Sequence, residues 1–394
     1  MPIVDKVTDV FVTMDVEHPQ PTTGLKNPLI LVKDAADDAK ETMKQYMSLD
    51  QVEADFNANT STYSLAQTIF DQDPAPEAIT VIKFTGDSID PATLKAPAPA
   101  PTGVKSTPTA DGAIVKADPV MGTGTAQDTI PTAGAGKALY DYFYANYEYV
   151  LLADYDKTDA LAAADMVNNG GYDGKGFHLM FLQFDADNAA DGADFDQYGR
   201  VWKFYHTDAS EHYAAALAAK GAQPDAGKVS WKFVSDLADV TPETLTATEV
   251  EALEKQGFIL YCQKAAHANQ TDDKNIAGNY IDFVQGIDWI KATMETNLQN
   301  MLSTSGKVPY NAQGLSMVDT TLKAGLDQAY NQGIIGVDAN GKPDYSTSIP
   351  GIGNVTPPRV ADIAERVLKN VKFSYAPSSA VNEIHVTATV QDLS

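Results

Sequence analysis

Residues 278–302 read GNYIDFVQGIDWIKATMETNLQNML. Tyr280, Phe283, Val284, Ile287, Ile290, Met294, Leu298, Met301 and Leu302 recur at spacings of three and four, so a helix gathers them on one face. Asp282, Gln285, Lys291, Glu295 and Gln299 fall on the other face. Asn279 fits the N-cap, and Asp282 is a first-turn acid able to accept from free backbone N–H groups. Gly306 and Pro309 end the pattern. A helix of about 24 residues rises roughly 36 Å. A rod of that length needs a sheet or several helices against its apolar face.

Working back from this helix, short apolar runs alternate with helical segments. Strands are expected at 28–33 (PLILVK), 78–84 (AITVIKF), 149–153, 176–184, 201–206, 231–234 and 257–263, and 43–46 reads as a short strand or a turn. Helices are expected at 50–57, 62–71, 137–146, 159–168, 209–220 and 246–256, the last opened by a Thr246…Glu249 capping box. Working forward, 317–331 is a helix closed by Gly333, 338–341 a turn, 350–358 a Pro/Gly loop, 359–369 a short helix and 372–375 extended. The alternation indicates an α/β (mixed α+β) chain whose mixed sheets are flanked by helices. Residues 91–136 are rich in Pro, Ala, Gly and Thr and read as a linker or surface insertion.

The chain has 394 residues, enough for two or three domains, and 44% are apolar, enough for sizeable cores. Its formal charge of −25 argues against direct contact with nucleic acid, because phosphate would be repelled. With one cysteine, Cys262, no intrachain disulfide is expected, consistent with a reducing compartment. The start MPIVDKV carries no basic region followed by an apolar run, so no secretory signal is expected, and no membrane insertion either.

Chemistry-bearing motifs are sparse. His18, His178, His206, His212, His267 and His385 make no metal-ligand spacing and read as packing or surface residues. Gly134-Ala-Gly-Lys137 misses the phosphate-loop pattern twice, having Pro131 for the first Gly and Ala138 for the hydroxyl. The acidic run Asp185, Asp187, Asp191, Asp194, Asp196 lacks the Gly of a calcium loop. Cys262, Trp231 and Trp289 read as core. No catalytic residue, metal or cofactor is expected.

Attention then moves to the ends. Residues 4–17 alternate, with Val10, Val12, Met14 and Val16 against Asp9, Phe11, Thr13 and Asp15. Residues 383–392 do the same, with Ile384, Val386, Ala388 and Val390 on one side. Loose joints adjoin both, at 19–24 and 376–380. Such strands can close their own sheet or add to the sheet edge of another subunit.

Three segments now carry a family resemblance: YMSLDQVEADFNANTSTYSLAQTIFDQDPAPEAITVIK (46–83), GNYIDFVQGIDWIKATMETNLQNMLSTSGKVPYNAQGLSMV (278–318) and VKFSYAPSSAVNEIHVTATV (371–390). Their order resembles the contractile phage tail sheath proteins, in particular a divergent sheath-like family of myovirus-type phages. The resemblance covers most of the chain outside 91–136 and 185–200. It implies a structural virion protein: a sheath subunit that polymerises as hexameric rings around a tail tube and contracts to drive the tube through the host envelope during genome ejection. It implies a homo-oligomer joined by strand exchange, with tail tube, baseplate and tail terminator proteins as partners, assembled in the host cytoplasm and located in the virion tail. The implied division is an N-terminal arm (1–24), an α/β outer or middle domain (25–90 and 137–255), the insertion (91–136), a C-terminal domain facing the inner tube (256–380) and a C-terminal arm (381–394). The alternatives are another tail tube, baseplate or injection-machine component, and, more remotely, an α/β enzyme without a recognisable motif.

Overall fold

A computed structural model describes residues 13–14, 16–17, 25–36, 39–94, 131–143, 145–169 and 178–384. Runs such as Leu29-Ile-Leu31 and Ile79–Phe84 have no polar face, and both are buried on both sides. That is what parallel strands covered by helices on each face require. The strands are β1 (Thr13–Met14), β2 (Val16–Glu17), β3 (Pro28–Lys33), β4 (Thr42–Tyr46), β5 (Ile79–Phe84), β6 (Tyr149–Leu152), β7 (Leu179–Phe184), β8 (Val201–Tyr205), β9 (Phe258–Lys264), β10 (His267–Gln270), β11 (Tyr345–Ser348) and β12 (Lys372–Tyr375). The helices are α1 (Leu49–Asp55), α2 (Ser61–Phe70), α3 (Pro91–Leu94), α4 (Gly134–Asp141), α5 (Lys157–Asn169), α6 (Tyr213–Gly221), α7 (Ala247–Lys255), α8 (Ile281–Thr304), α9 (Ala312–Gln332) and α10 (Val360–Glu365).

Eight strands form one mixed sheet in the order β10-β9-β8-β7-β6-β3-β5-β4. From β9 to β5 neighbours run parallel, and β10 and β4 close the two edges antiparallel. One face packs on α1, α2, α6 and the first turn of α8, through Val52, Leu65, Ile69, Leu217, Trp231, Ile281 and Val284. The other packs on α4, α5 and a 3₁₀ segment at 189–195, through Leu139, Met166, Phe195 and Phe258. A third core joins α8, α9 and the β11–β12 hairpin through Ile290, Met294, Leu322, Leu326, Ile335 and Ile349. The long helix is therefore shared, its start in a sheet core and its middle in the helical core.

Several local expectations change. The N-cap of α8 is Tyr280, one residue later than expected. Asn279 is buried and donates to Gly199 O at 2.9 Å, which takes its side chain away from the helix end. The polar face of α8 does not look into solvent: Gln285, Asp288, Lys291 and Glu295 are all buried. Residues 231–234 form a 3₁₀ turn rather than a strand, because the Trp231 ring is drawn under the sheet against Gly221 of α6. The helix expected from 209 begins at Tyr213, since Asp208 Oδ1 accepts from Ser210 N and Oγ and holds that segment in a turn. The helix expected from 137 begins at Gly134, whose φ of +73° and contact with Ser88 leave no room for a Cβ. The boundary expected at 256 falls inside the sheet, because Phe258 pairs with Lys203 and β9 turns back into β10.

Candidate assembly interfaces

The two terminal strands were the expected contact elements. Val10 and Val12 lie outside the described residues, as do Val386, Ala388 and Val390. Met14 and Val16 pair with each other in an antiparallel register, so the chain reverses between them instead of running straight through 17. A lone strand leaves its N–H and C=O groups unpaired, and folding back satisfies some of them. At the other end, Val381 and Ile384 are 70% and 78% exposed.

The expected core positions of α8 divide along its length. Val284, Ile287, Ile290 and Met294 are buried, and Phe283 and Leu298 are half-buried against the cores. Tyr280, at the cap, is exposed. The opposite side of α8 seats on the amino-terminal end of the sheet through polar groups. Arg200, just before β8, donates from both terminal nitrogens to Asp288 at 2.8 and 2.9 Å, and to His178 O at 3.1 Å. Gln285 Nε2 donates to Tyr149 Oη at 2.9 Å. Glu148, fully buried beside this pair, is held well above the usual carboxylate range by burial and then by Asp288. Burial also pushes His178 down to about 3, so its ring is neutral and Nε2–H donates to Phe143 O at 2.8 Å. Arg200 thus lies beside both Asp288 and Glu148 in one buried set, in which burial and Asp288 favour the protonated form of Glu148.

In the C-terminal unit, α10 is turned inside out. Val360 and Ile363 are 82% and 39% exposed, as is Val367 (43%) just past the left-handed Arg366 that ends the helix, while Asp362 is 3% exposed. Arg359 donates to Asp362 from Nε at 2.8 Å and Nη2 at 2.9 Å, and Lys369 approaches at 3.2 Å. The Arg359 bonds pull Asp362 down to about 2. An apolar stripe that faces outward with cations beside it is the reverse of an ordinary surface helix.

The root of the C-terminal segment runs along a groove of about 290 Å³ lined by Gly227, Ser230, Phe283, Ile334, Tyr375 and Ser378. Ser378 N–H donates to Ile334 O at 2.8 Å. Asn382 Nδ2 donates to Asp273 Oδ1 at 2.9 Å, and its Oδ1 accepts from Ser230 Oγ at 3.0 Å. Burial and then Asp282 push Asp273 up to about 6.

The remaining sequence candidates stay separate. His206 accepts from Asp208 N–H and lies 2.9 Å from Thr241 O. His212 Nε2 lies 2.9 Å from Ser64 Oγ in a crevice at the carboxyl ends of β6 and β7, but nearby Asp154 accepts from Ser61 instead. Ser88 Oγ already accepts from Ala135 N–H, which occupies the helix start in the phosphate-loop look-alike. Asp191 and Asp194 pair with Lys157 at 2.9 and 2.6 Å, and among the described residues no cluster of three or more His, Cys, Asp or Glu could hold a metal. Cys262 is half-buried and Trp231 fully buried, while Trp289 packs at the margin of the helical core. No described helix is long and apolar enough to cross a membrane.

Sequence reasoning missed the Arg200–Asp288–Glu148 set, the Asn382 contacts and the outward stripe of α10. Residues 360, 363 and 367 have helical spacing, but that spacing does not say which way the stripe faces.

Residues 281–346 match the family described as E217 tail sheath protein gp31-like, C-terminal domain. No curated protein matches the sequence. Among solved structures, the chain is similar to the contracted helical sheath of the anti-feeding prophage, with 14% identity, 98% of this chain and 99% of that chain covered, and a TM-score of 0.57. It is similar to the contracted PVC sheath complex of an extracellular contractile injection system, with 12% identity, 98% and 99% covered, and a TM-score of 0.57. It is also similar to a chain of the contracted anti-feeding prophage baseplate, with 12% identity, 99% and 98% covered, and a TM-score of 0.59. At such identities the likeness is one of fold. Over 281–346 the chain resembles a tail sheath C-terminal domain in sequence, and its fold is similar to those of solved contractile sheath chains.

Proposed function

We propose that this chain is the subunit of a contractile sheath, stacking as six-membered rings around an inner tube and driving that tube through a target envelope when the lattice shortens. One coincidence carries the reading: the segment matching a tail sheath C-terminal domain is the helical unit, within a chain that has the sheath fold throughout. The terminal segments 1–24 and 381–394 act as arms to neighbouring subunits. The exposed side chains of Val381 and Ile384 support this for the C-terminal arm, since a strand kept for a neighbour leaves apolar residues uncovered in the free subunit. The helical unit of α8, α9 and the β11–β12 hairpin, the part of the expected 256–380 domain beyond the sheet, faces the tube, and the exposed Val360 and Ile363 of α10 with Arg359 and Lys369 beside them suit a partner with an acidic, partly apolar surface. The α/β part (25–90 and 137–255) and the insertion (91–136) lie outward. Tube, baseplate and terminator proteins are its partners, and the tail of a virion or related particle is its location.

Negative-stain electron microscopy of the purified protein over a range of concentration and salt tests this. Hollow, striated, six-fold tubes are expected. Deleting Val381–Ser394 is expected to leave a folded monomer, by circular dichroism, that forms no ordered tubes. Regular tubes from the truncated chain would sink the arm assignment, and failure to fold would assign the strand to its own domain.

A further inference from the structure

The C-terminal segment is held to the body largely through one side chain near its exit. Val381 and Ile384 point outward, whereas Asn382 between them turns in and uses both ends of its amide. Asp273, 2% exposed, accepts from Asn382 Nδ2 at 2.9 Å and Lys232 N–H at 3.3 Å, and Ser230 Oγ lies 3.4 Å away. Its own backbone oxygen accepts from Ile281 N–H at 3.1 Å, so the residue that holds the segment also opens α8.

We propose that Asn382, Ser230 and Asp273 form a clasp that fixes where the C-terminal segment leaves the body, and that acid opens it. The clasp belongs to the free subunit and holds whether or not the residues beyond it pair with a neighbour. Asn382 Nδ2 and Lys232 N–H both donate to the Asp273 carboxyl, while the single Ser230 hydroxyl proton goes to the nearer Asn382 Oδ1. An added proton would need an acceptor there and would weaken the pull on Asn382, because bonds to an ionised carboxylate are the stronger kind. The charged groups facing Asp273 are Asp272, which is tied to Lys274 at 3.6 Å, Asp282 in the first turn of α8, and the Lys232 side chain. Asp282 accepts from Phe283 N–H. Burial and Asp282 move the Asp273 transition into the mildly acidic range.

The test is hydrogen–deuterium exchange of the full-length free protein, corrected for intrinsic rates, from about pH 5 to about pH 7.5. The amides of Ala376 and Ser378, which donate to Asp344 O and Ile334 O, report fraying of the segment. Protection is expected to fall about tenfold on acidification, the size of a lost charge-assisted bond. Asn382→Ala is expected to show the low protection at every pH. Asp273→Asn, if folded by circular dichroism, should abolish the pH dependence; Ser230→Ala, which leaves Asp273 in place, should lower protection at neutral pH. Wild-type protection that does not change with pH overturns the acid opening. An Asn382→Ala variant as protected as wild type overturns the clasp itself. Absence of tubes in the microscope bears on the sheath reading and leaves these exchange results untouched.

Discussion

Glu148 shows how one side chain sets the tolerance of the α8 seat to pH. Its carboxyl is raised in the folded state, so folding favours the protonated form. The stability this confers is complete below the ordinary carboxylate range and is lost as pH rises toward the folded value. Glu148→Gln removes the titration while keeping size and polarity. In urea denaturation at a series of pH values, the variant is expected to gain on wild type as pH rises from about 5, by at most about 1.4 kcal/mol per pH unit, the limit for one proton. Curves that stay parallel would show that Glu148 does not hold that proton. None of this was legible in the sequence. Gln285, Lys291 and Glu295 have the spacing of a solvent-facing strip, and periodicity gives the angle of a residue around a helix, not what lies across from it. Arg200 lies 88 residues from Asp288, and only the closed sheet brings them together.

At the scale of elements, the strands and long helices followed from pattern, and boundaries shifted where a distant or local polar group took part. PLILVK and AITVIKF allow no other burial than two-sided, and Thr246 with Glu249 closes its capping box as the spacing required. Gly333 ends α9 at φ +89°. By contrast α4 starts on Ser88 Oγ, contributed from 47 residues away, and no local signal marks that. The arms, the expected site, are legible only in part: Ile384 is exposed, and most of their apolar positions lie outside the described residues. Tight packing also hides in the letter Gly. A Cβ at Gly221 would sit 2.4 Å from the buried Trp231 ring. Gly221→Ala is therefore expected to cost about 1–3 kcal/mol despite its better helix propensity, because the ring has no room to yield. A midpoint of chemical denaturation equal to or above that of wild type would show that the ring can move.

Across the whole molecule, the sheet grows from β3 in both directions, with β5 on one side and β6 through β9 on the other. The proline-rich stretch enters after β5 and returns at α4. Its two flanks are stapled together where Ser88 Oγ accepts from Ala135 N–H and donates to Asp159, and where Gly134 N–H meets Thr85 O. Replacing residues 95–130 with a short Gly/Ser linker is expected to leave the unfolding midpoint within about 1 kcal/mol of wild type, since loop-closure entropy changes slowly with length. A larger loss would mean that the insertion packs on the body.

The sharing of α8 between two cores has a mechanical consequence. A rod roughly 36 Å long, with Ile281 and Val284 set in the sheet layer and Ile290 and Met294 in the helical layer, leaves no slack hinge between the two. A load applied to the C-terminal unit reaches the sheet through one continuous stretch of hydrogen-bonded helix, with Arg200 and Asp288 resisting slip in its first third. Stiffness is thus concentrated in the one helix that both cores share.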